Sequence, residues 1–318
     1  MRIVRTLESF PPDARPSVVA LGVFDGVHLG HRAILDAAVA RARAAAGGRT
    51  IDGHGPSRTS VACTFDPHPA EILQRDRAPL PITTLDERLA LIAASGVGVT
   101  VVVPFTEALA AVEPEAFVTE ILVGRLGARE IVVGFNHRFG RGARGDADLL
   151  RELGGRLGFH AEVVPPTNVD GVPVSSSAIR GALQRADLDL AARMLGRPYF
   201  VGGDVVEGAG RGRTLGFPTA NIVAERLLLV PSGVYACRLH VGEVVHGAVL
   251  NAGVRPTFGE KVFTLEAHVL DFAGDLYGRR VRLDFVRHLR EERKFSGVDA
   301  LKAQIAADVT AARAALGA

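Results

Sequence analysis

The chain has 318 residues, 47% of them apolar and 23% charged, with 37 basic against 35 acidic residues and a formal charge of +2. This composition excludes disordered, collagen-like and coiled-coil classes, and so even a charge balance argues against a protein built to bind bulk polyanion. At roughly 100–200 residues per domain, the length predicts two domains, each able to bury its own core.

The only lysines are Lys261, Lys294 and Lys302, so the first 260 residues hold no lysine nucleophile. Cys63 and Cys237 are too few for a disulfide framework or an all-cysteine zinc site. Residues 1–12 show no long apolar run with a cleavage site, and no stretch reaches the ~20 apolar residues of a membrane helix. A cytoplasmic protein without a membrane partner is expected.

The first half alternates strand and helix signals. Strands are predicted at 17–23 (SVVALGV), 60–65 (SVACTF), 99–103 and 130–134, and helices at 31–46, 85–94 and 114–126. Residues 47–57 (GGRTIDGHGPS) read as a polar loop. This βαβ alternation predicts an α/β fold with a parallel sheet covered on both faces. A short helix is predicted at 188–195. The pattern then changes to period 2: Phe263, Leu265, Ala267 and Val269 share a face, and 234–241 with 244–250 read as a hairpin around Gly242. Short strands at close spacing predict an antiparallel barrel or sandwich, followed by a terminal helix at 298–316. The domain boundary is expected near 185, giving domains 1–185 and 186–318.

Four motifs in the first half carry chemistry. Residues 22–31 read GVFDGVHLGH, a strand running into a turn with Gly22, Phe24, Asp25 and Gly30. His28 and His31 follow at i and i+3, near one face of a helix N-terminus. Such an end attracts phosphate, and two imidazole donors there can hold a triphosphate and stabilise charge on a phosphorus under attack. Zinc is the competing idea, without a third ligand nearby. The run VSSSAIR at 174–180 is an N-cap by itself, but Arg180 could reach an anion at the helix start. TFDPHP at 64–69 displays Asp66 and His68 where open α/β sheets bind ligands, or is an ordinary turn. GFNHRFGRGARGD at 134–146 puts Arg138, Arg141 and Arg144 on a glycine-rich loop, suited to triphosphate or simply solvated.

The second half carries GGDVVEGAGRGRTLGFPTAN at 202–221. Gly208, Gly210, Gly212 and Gly216 let the backbone approach an anion. No lysine makes it a Walker A loop, and the glycine spacing is not a Rossmann fingerprint. Arg211 and Arg213 could supply positive charge instead. Thr219 and Asn221 offer hard neutral oxygens suited to Mg²⁺. Glu266 lies opposite the apolar face of its strand and could deprotonate a hydroxyl attacking a γ-phosphate, or be merely solvated. The segments NAGVRPTF (251–258) and LREERKF (289–295) could fold over a ring system, or be surface loops.

Taken in order, GVFDGVHLGH, TFDPHP, GFNHRFG and VSSSAIR resemble the N-terminal half of bacterial bifunctional riboflavin kinase/FAD synthetases, within the HxGH nucleotidyltransferase superfamily. GAGRGRTLGFPTAN, PSGVYA, NAGVRPTF, EAHVLDFAGDLYG and LREERKF resemble their riboflavin kinase domain, a small antiparallel β-barrel. The resemblance implies MgATP-dependent phosphorylation of riboflavin to FMN, then transfer of AMP from ATP to FMN, giving FAD and pyrophosphate. It implies that His28 and His31 contact the ATP phosphates and that Asn136 binds the nucleotide or the flavin phosphate. Ser175, Ser176 and Arg180 would hold phosphates from the far side, while Asp66 and the Phe24–Asp25 turn would line the flavin and adenine side. In the kinase it implies Thr219 and Asn221 on Mg²⁺, Glu266 as base, the 208–216 loop over the ATP phosphates and Arg290 closing the flavin site. The family usually has threonine where this chain has Ser177, and an aromatic residue where it has His137.

Two other readings stand beside this one. One is a nucleotidyltransferase with an unrelated second domain, against which PTAN and Glu266 speak. The other is an arginine-rich nucleic-acid-binding protein, against which the charge balance and three tyrosines speak. The expected partners are therefore small molecules only.

Overall fold

Apolar runs such as 17–21 and 99–103 are what a parallel sheet buried on both faces requires. The computed structural model describes residues 1–46, 57–208, 212, 215–257 and 260–317, with the backbone alone at 46, 254–257 and 260–264. It divides into two units, Met1–Ser175 and Ser176–Ala318.

In the first unit, β1 (Arg2–Val4), β2 (Ser17–Leu21), β3 (Thr59–Asp66), β4 (Val99–Pro104), β5 (Ala128–Gly134) and β6 (His160–Val164) form one sheet in the order β1-β4-β3-β2-β5-β6. Every pairing is parallel. Alternate residues serve opposite faces, as the pleat dictates. Val19, Leu21, Val61, Cys63 and Val101 pack into one cluster, Val18, Ala20 and Ala62 into the other. The second face is covered by Leu35, Ala38 and Val39 of α1 (Leu29–Ala46) and Ile92 of α3 (Leu85–Ala94). A short α2 (Pro69–Leu73) precedes α3, and α4 (Glu107–Ala110) follows β4.

The helix expected at 114–126 is α5 (Pro114–Ala116) continued as a π-helix, Phe117–Arg125. Here the Leu126 N–H reaches back five residues to the Ile121 carbonyl at 3.0 Å. Besides the short α2 and α4, the elements beyond the expected set include β1, β6 and α6 (Ala147–Leu157). The Asp146 carboxylate caps α6, accepting from the Asp148 and Leu149 N–H groups. A two-residue ladder, β7 (Asn168–Val169) with β8 (Val172–Pro173), ends the unit.

The second unit begins about ten residues before the expected boundary. The reason is α7 (Ser176–Gln184), which packs on α8 (Leu188–Leu195), while α8 packs on β9 (Tyr199–Val206) and β14 (Arg280–Arg290). Between them, β10 (Ala220–Ala224), β11 (Gly233–Val241), β12 (Val244–Thr257) and β13 (Glu260–Val269) complete a closed barrel, β10-β13-β12-β11-β14-β9. All six pairings are antiparallel. Leu239, Leu250, Leu265, Ala267 and Leu283 are fully buried on alternate positions of their strands. The terminal α9 (Val298–Leu316) lies on the outer wall, its Ala312 packed with Val234, Ala236 and Val249.

Candidate active sites

In the first unit the connections from β2 and β5 leave in opposite directions, since β2 leads to β3 on one side and β5 to β6 on the other. Ligands of open α/β sheets bind at such a switch point, beyond the carboxyl ends of the strands. The turn carrying His28 follows β2 and the turn carrying Asn136 follows β5. The first turn is sharply bent: Phe24, Gly26 and Val27 have φ of 55°, 81° and 38°. A β-branched valine there is strained and must be held by its surroundings. Asp25 supplies the hold. Its buried carboxylate accepts from the Ile82 and Thr83 N–H groups at 3.0–3.1 Å, and the Gly26 N–H donates to Thr83 Oγ1 at 3.0 Å. Asp25 therefore builds the turn from inside rather than facing a phosphate. Phe24 is also buried; its ring meets His31 edge-on at 5.3 Å and packs against the bare Cα of Gly22.

His28 and His31 are brought together as expected, their rings stacked at 3.6 Å between centroids. His28 Nδ1 accepts the His31 N–H at 3.2 Å, so neutral His28 presents Nε2–H as its donor. A Cβ on Gly30 would lie 3.2 Å from the His28 ring, which is why the motif has glycine there. Burial, the neighbouring His28 and the Arg88 guanidinium hold the His31 pKa well below the usual imidazole value. His31 is thus neutral at physiological pH, so what it offers a ligand is an N–H donor and not a positive charge.

Beside this turn lies a cavity of about 460 Å³ lined by Leu21, Val23, Phe65, Phe105, His137 and Phe139, among others. It spans the ends of β2 to β5 and is mostly apolar, the kind of slot that takes a flat ring. Asp66 stands at the end of β3, partly exposed and 3.5 Å from Arg88. His68 caps α2, its Nδ1 accepting from the Ala70 N–H. Asn136 is exposed beyond β5. The arginine loop is already paired: Arg141 and Arg144 with Glu113, and Arg138 with Asp146. Its charge is partly balanced within the protein by solvent-exposed ion pairs, which are weak. Ser175 ends the first unit, while Ser176 and Arg180 lie on α7 in the second, where Arg180 is buried.

In the second unit, Thr219, just before β10, and Asn221, within it, stand two residues apart, so both side chains face one way. Asn221 opposes Glu266 across β10 and β13, and Glu266 opposes Asn251 on β12. Leu265 and Ala267 fill the barrel, so Glu266 points to the outer wall. There a cavity of about 340 Å³ is lined by Thr219, Asn251, Glu266, His268 and Arg290, with Leu301 and Ile305 of α9. A second cavity, about 290 Å³, is lined by Val205, Pro218, Thr219, Phe272, Leu276 and Tyr277. Thr219 belongs to both.

The glycine loop closes on these side chains. A Cβ on Gly208 would overlap the Asn221 amide, and one on Gly212 would lie 2.9 Å from Thr219 Oγ1. Gly216 turns the chain with φ of 86°. Gly210, Arg211 and Arg213 lie outside the described residues. Arg290 lines the larger cavity but its guanidinium is committed to Asp308 of α9, with Nε to Oδ1 at 2.9 Å and Nη2 to Oδ2 at 2.7 Å. It closes the cavity by tying the end of β14 to the terminal helix, rather than by reaching freely for a ligand. The hydroxyl and amide oxygens of Thr219 and Asn221 are hard neutral donors that fit Mg²⁺ with phosphate and water as its other ligands.

Comparison with known proteins decides the family. The FAD synthetase family matches residues 10–178 and the riboflavin kinase family residues 195–316. The bifunctional riboflavin kinase/FMN adenylyltransferase of Pseudomonas fluorescens is 40% identical, over 99% of this chain and 97% of its own. The enzymes of the same name from Escherichia coli K12 and Bacillus subtilis are each 37% identical, over 100% and 92% of this chain and 98% and 90% of their own. The chain belongs to the bifunctional riboflavin kinase/FMN adenylyltransferase family. A Streptococcus pneumoniae crystal structure described as a macrolide-efflux protein shares the fold, with a TM-score of 0.85 at 28% identity over 98% of each chain. No described helix is long and apolar enough to cross a membrane.

Sequence reasoning missed Arg88, His268 and Asn251 as site residues. Arg88 had a readable signal: in LDERLALIAA it shares the buried helix face with Leu89 and Ile92, where a charge is out of place unless paired.

Proposed function

We propose that the barrel unit phosphorylates riboflavin and that the sheet unit adenylylates the FMN so formed. The observation that carries the kinase reading is Thr219, shared by two cavities. The larger, beside Glu266, takes the isoalloxazine ring with its ribityl chain directed to Thr219. The smaller takes the adenosine of ATP, so that the γ-phosphate and the acceptor hydroxyl meet at the shared residue. Thr219 and Asn221 hold Mg²⁺, which neutralises charge on the phosphate oxygens when bound. Glu266 takes the proton of the riboflavin 5′-hydroxyl as its oxygen bonds to the γ-phosphorus. The bond from that phosphorus to the bridging oxygen breaks and ADP leaves. Asn251, opposite Glu266 on β12, helps to aim the carboxylate. Main-chain N–H groups of the 208–216 loop, with Arg211 and Arg213, cover the phosphates.

In the sheet unit, a phosphate oxygen of FMN attacks the α-phosphorus of ATP and pyrophosphate leaves. His28 and His31 donate to the triphosphate at the start of α1, where the helix dipole adds to them. Gly22 and Gly30 permit the close approach of the turn, and Phe24 and Asp25 hold its shape. Ser175 binds a phosphate at the end of this unit, and Asn136 binds the nucleotide or the flavin phosphate. The flavin ring occupies the cavity of Phe65, Phe105 and Phe139, and Asp66, the residue after Phe65 at the end of β3, serves the same side. The work is divided between the units Met1–Ser175 and Ser176–Ala318, about ten residues before the expected division at 185, in the cytoplasm, where ATP is abundant.

Filling one cavity at a time tests the kinase reading. Leu276→Trp should raise the KM for ATP and leave that for riboflavin, and Ile305→Trp should do the reverse. Equal effects of both on either substrate would contradict the division.

A further inference from the structure

The cation that joins the two walls of the adenylylation site is Arg88. It projects from α3 into the sheet's carboxyl edge and is almost fully buried. Its Nη1 donates to the carbonyls of Val23 at 3.0 Å and Phe65 at 2.9 Å, and lies 3.5 Å from Thr64 Oγ1. Its Nη2 lies 3.5 Å from Asp66. Val23 opens the turn that carries His28 and His31, whereas Phe65 and Asp66 end the neighbouring strand, and Phe65 lines the flavin cavity. Thr64 Oγ1 also donates to Val23 O at 2.8 Å, so the two strand ends are already stitched without a charge. Burying a guanidinium costs several kcal/mol unless it is well paired, and Asp66 is a partly exposed partner.

One imidazole and three carboxylates face that charge. The His31 ring feels it, after the larger effects of burial and of His28. Asp25 of the turn, Asp66 of β3 and Glu71 of α2 face it from the other elements. We propose that Arg88 is a positioning residue for FMN adenylylation: its forked contacts keep the histidine turn and the flavin wall in one register. The inference rests on the roles proposed above for His28 and His31.

The test compares full-length wild type, Arg88→Lys and Arg88→Met. FAD formation from FMN and MgATP is measured across pH, FMN formation from riboflavin in the same samples, and the His31 ring by ¹⁵N NMR titration. Misplacing a site by about 1 Å can cost about 100-fold in rate. Arg88→Met should lower kcat for FAD formation by about that factor, leave FMN formation unchanged, and move the His31 titration up, still held below the ordinary imidazole value by burial and His28. Arg88→Lys keeps the charge but loses the fork. It should lower kcat while leaving the His31 titration at its wild-type position. Wild-type kcat and pH profile in Arg88→Met would overturn the proposal. So would a lowered melting temperature in both variants with kcat, KM and the His31 titration intact, because that is a purely structural role. If Arg88→Met does not fold, wild-type kcat in Arg88→Lys overturns it. Retained FAD synthesis in His28→Ala and His31→Ala would instead sink the histidine roles on which the inference stands.

Discussion

Asn221 and Glu266 stand directly opposite each other on neighbouring antiparallel strands of the barrel. The pairing puts a candidate metal ligand beside a candidate base, about 5 Å apart at Cβ as cross-strand neighbours are. Glu266→Gln keeps the size and hydrogen bonding of the side chain and removes the base. General-base catalysis is worth about 10²–10⁴-fold. Steady-state kinetics of Glu266→Gln should show kcat for FMN formation down by that factor, with riboflavin and ATP still bound and FAD formation from supplied FMN unchanged. A loss confined to ATP binding would make Glu266 a metal or phosphate residue.

Gly212 tests the loop over the same site. An alanine Cβ there would overlap the Phe217 carbonyl and press on Thr219 Oγ1. Gly212→Ala should raise the Mg²⁺ concentration needed for half-maximal kinase activity and lower its kcat, while FAD synthesis is untouched. An unchanged Mg²⁺ dependence would separate the loop from the metal.

His137 gives the first unit an acid sensitivity. Burial pushes its pKa down to about 4, from an ordinary value near 6.5. The unfolded chain therefore binds a proton between those values that the folded chain refuses. Stability is full above pH 6.5 and falls as the pH drops toward 4, by roughly 3 kcal/mol at most. His31, shifted in the same direction, adds to the effect. His137→Phe removes one of these groups. Thermal unfolding between pH 7.5 and 4.5 should show a shallower acid decline in the variant than in wild type, and parallel curves would refute the assignment.

The position of α7 bears on modularity. Residues 186–318 are expected to fold and phosphorylate riboflavin alone. A chain starting at 176 should be more stable, because Ile179, Ala182 and Leu183 are fully buried and α7 packs on α8. Restoring that burial is worth on the order of 3 kcal/mol or more. Denaturant melts of the two fragments compare them directly, and equal midpoints would show that α7 adds nothing to the barrel unit.

Much of this was legible in the sequence because the signals were local. Helices at Leu85–Ala94, Leu188–Leu195 and Val298–Leu316 match their apolar spacing to the residue. The stacking of His28 on His31 follows from the i, i+3 spacing. What the sequence hid depends on distant partners. Asp25 reads as a ligand residue until Ile82 and Thr83 are seen to occupy its carboxylate. Arg290 reads as a flavin contact until Asp308, on α9, is found holding it. The arginines of the 134–146 loop read as free charge until Glu113 and Asp146 pair with them. The domain boundary fell late because α7 has helical periodicity like the first half, and only packing assigns it to the second.

In the proposed scheme two independent sites act in series, one on the barrel and one at the histidine turn. The most direct measurement incubates wild type and the double variant His28→Ala/His31→Ala with riboflavin and MgATP and chromatographs the flavins over time. One preorganised donor to developing charge is worth about 2.7–4 kcal/mol of barrier, so losing two should suppress FAD by several orders of magnitude. Wild type should accumulate FMN and then FAD, and the double variant FMN alone at the wild-type rate. FAD formed by the double variant at a near-normal rate, or loss of both products together, would contradict the account.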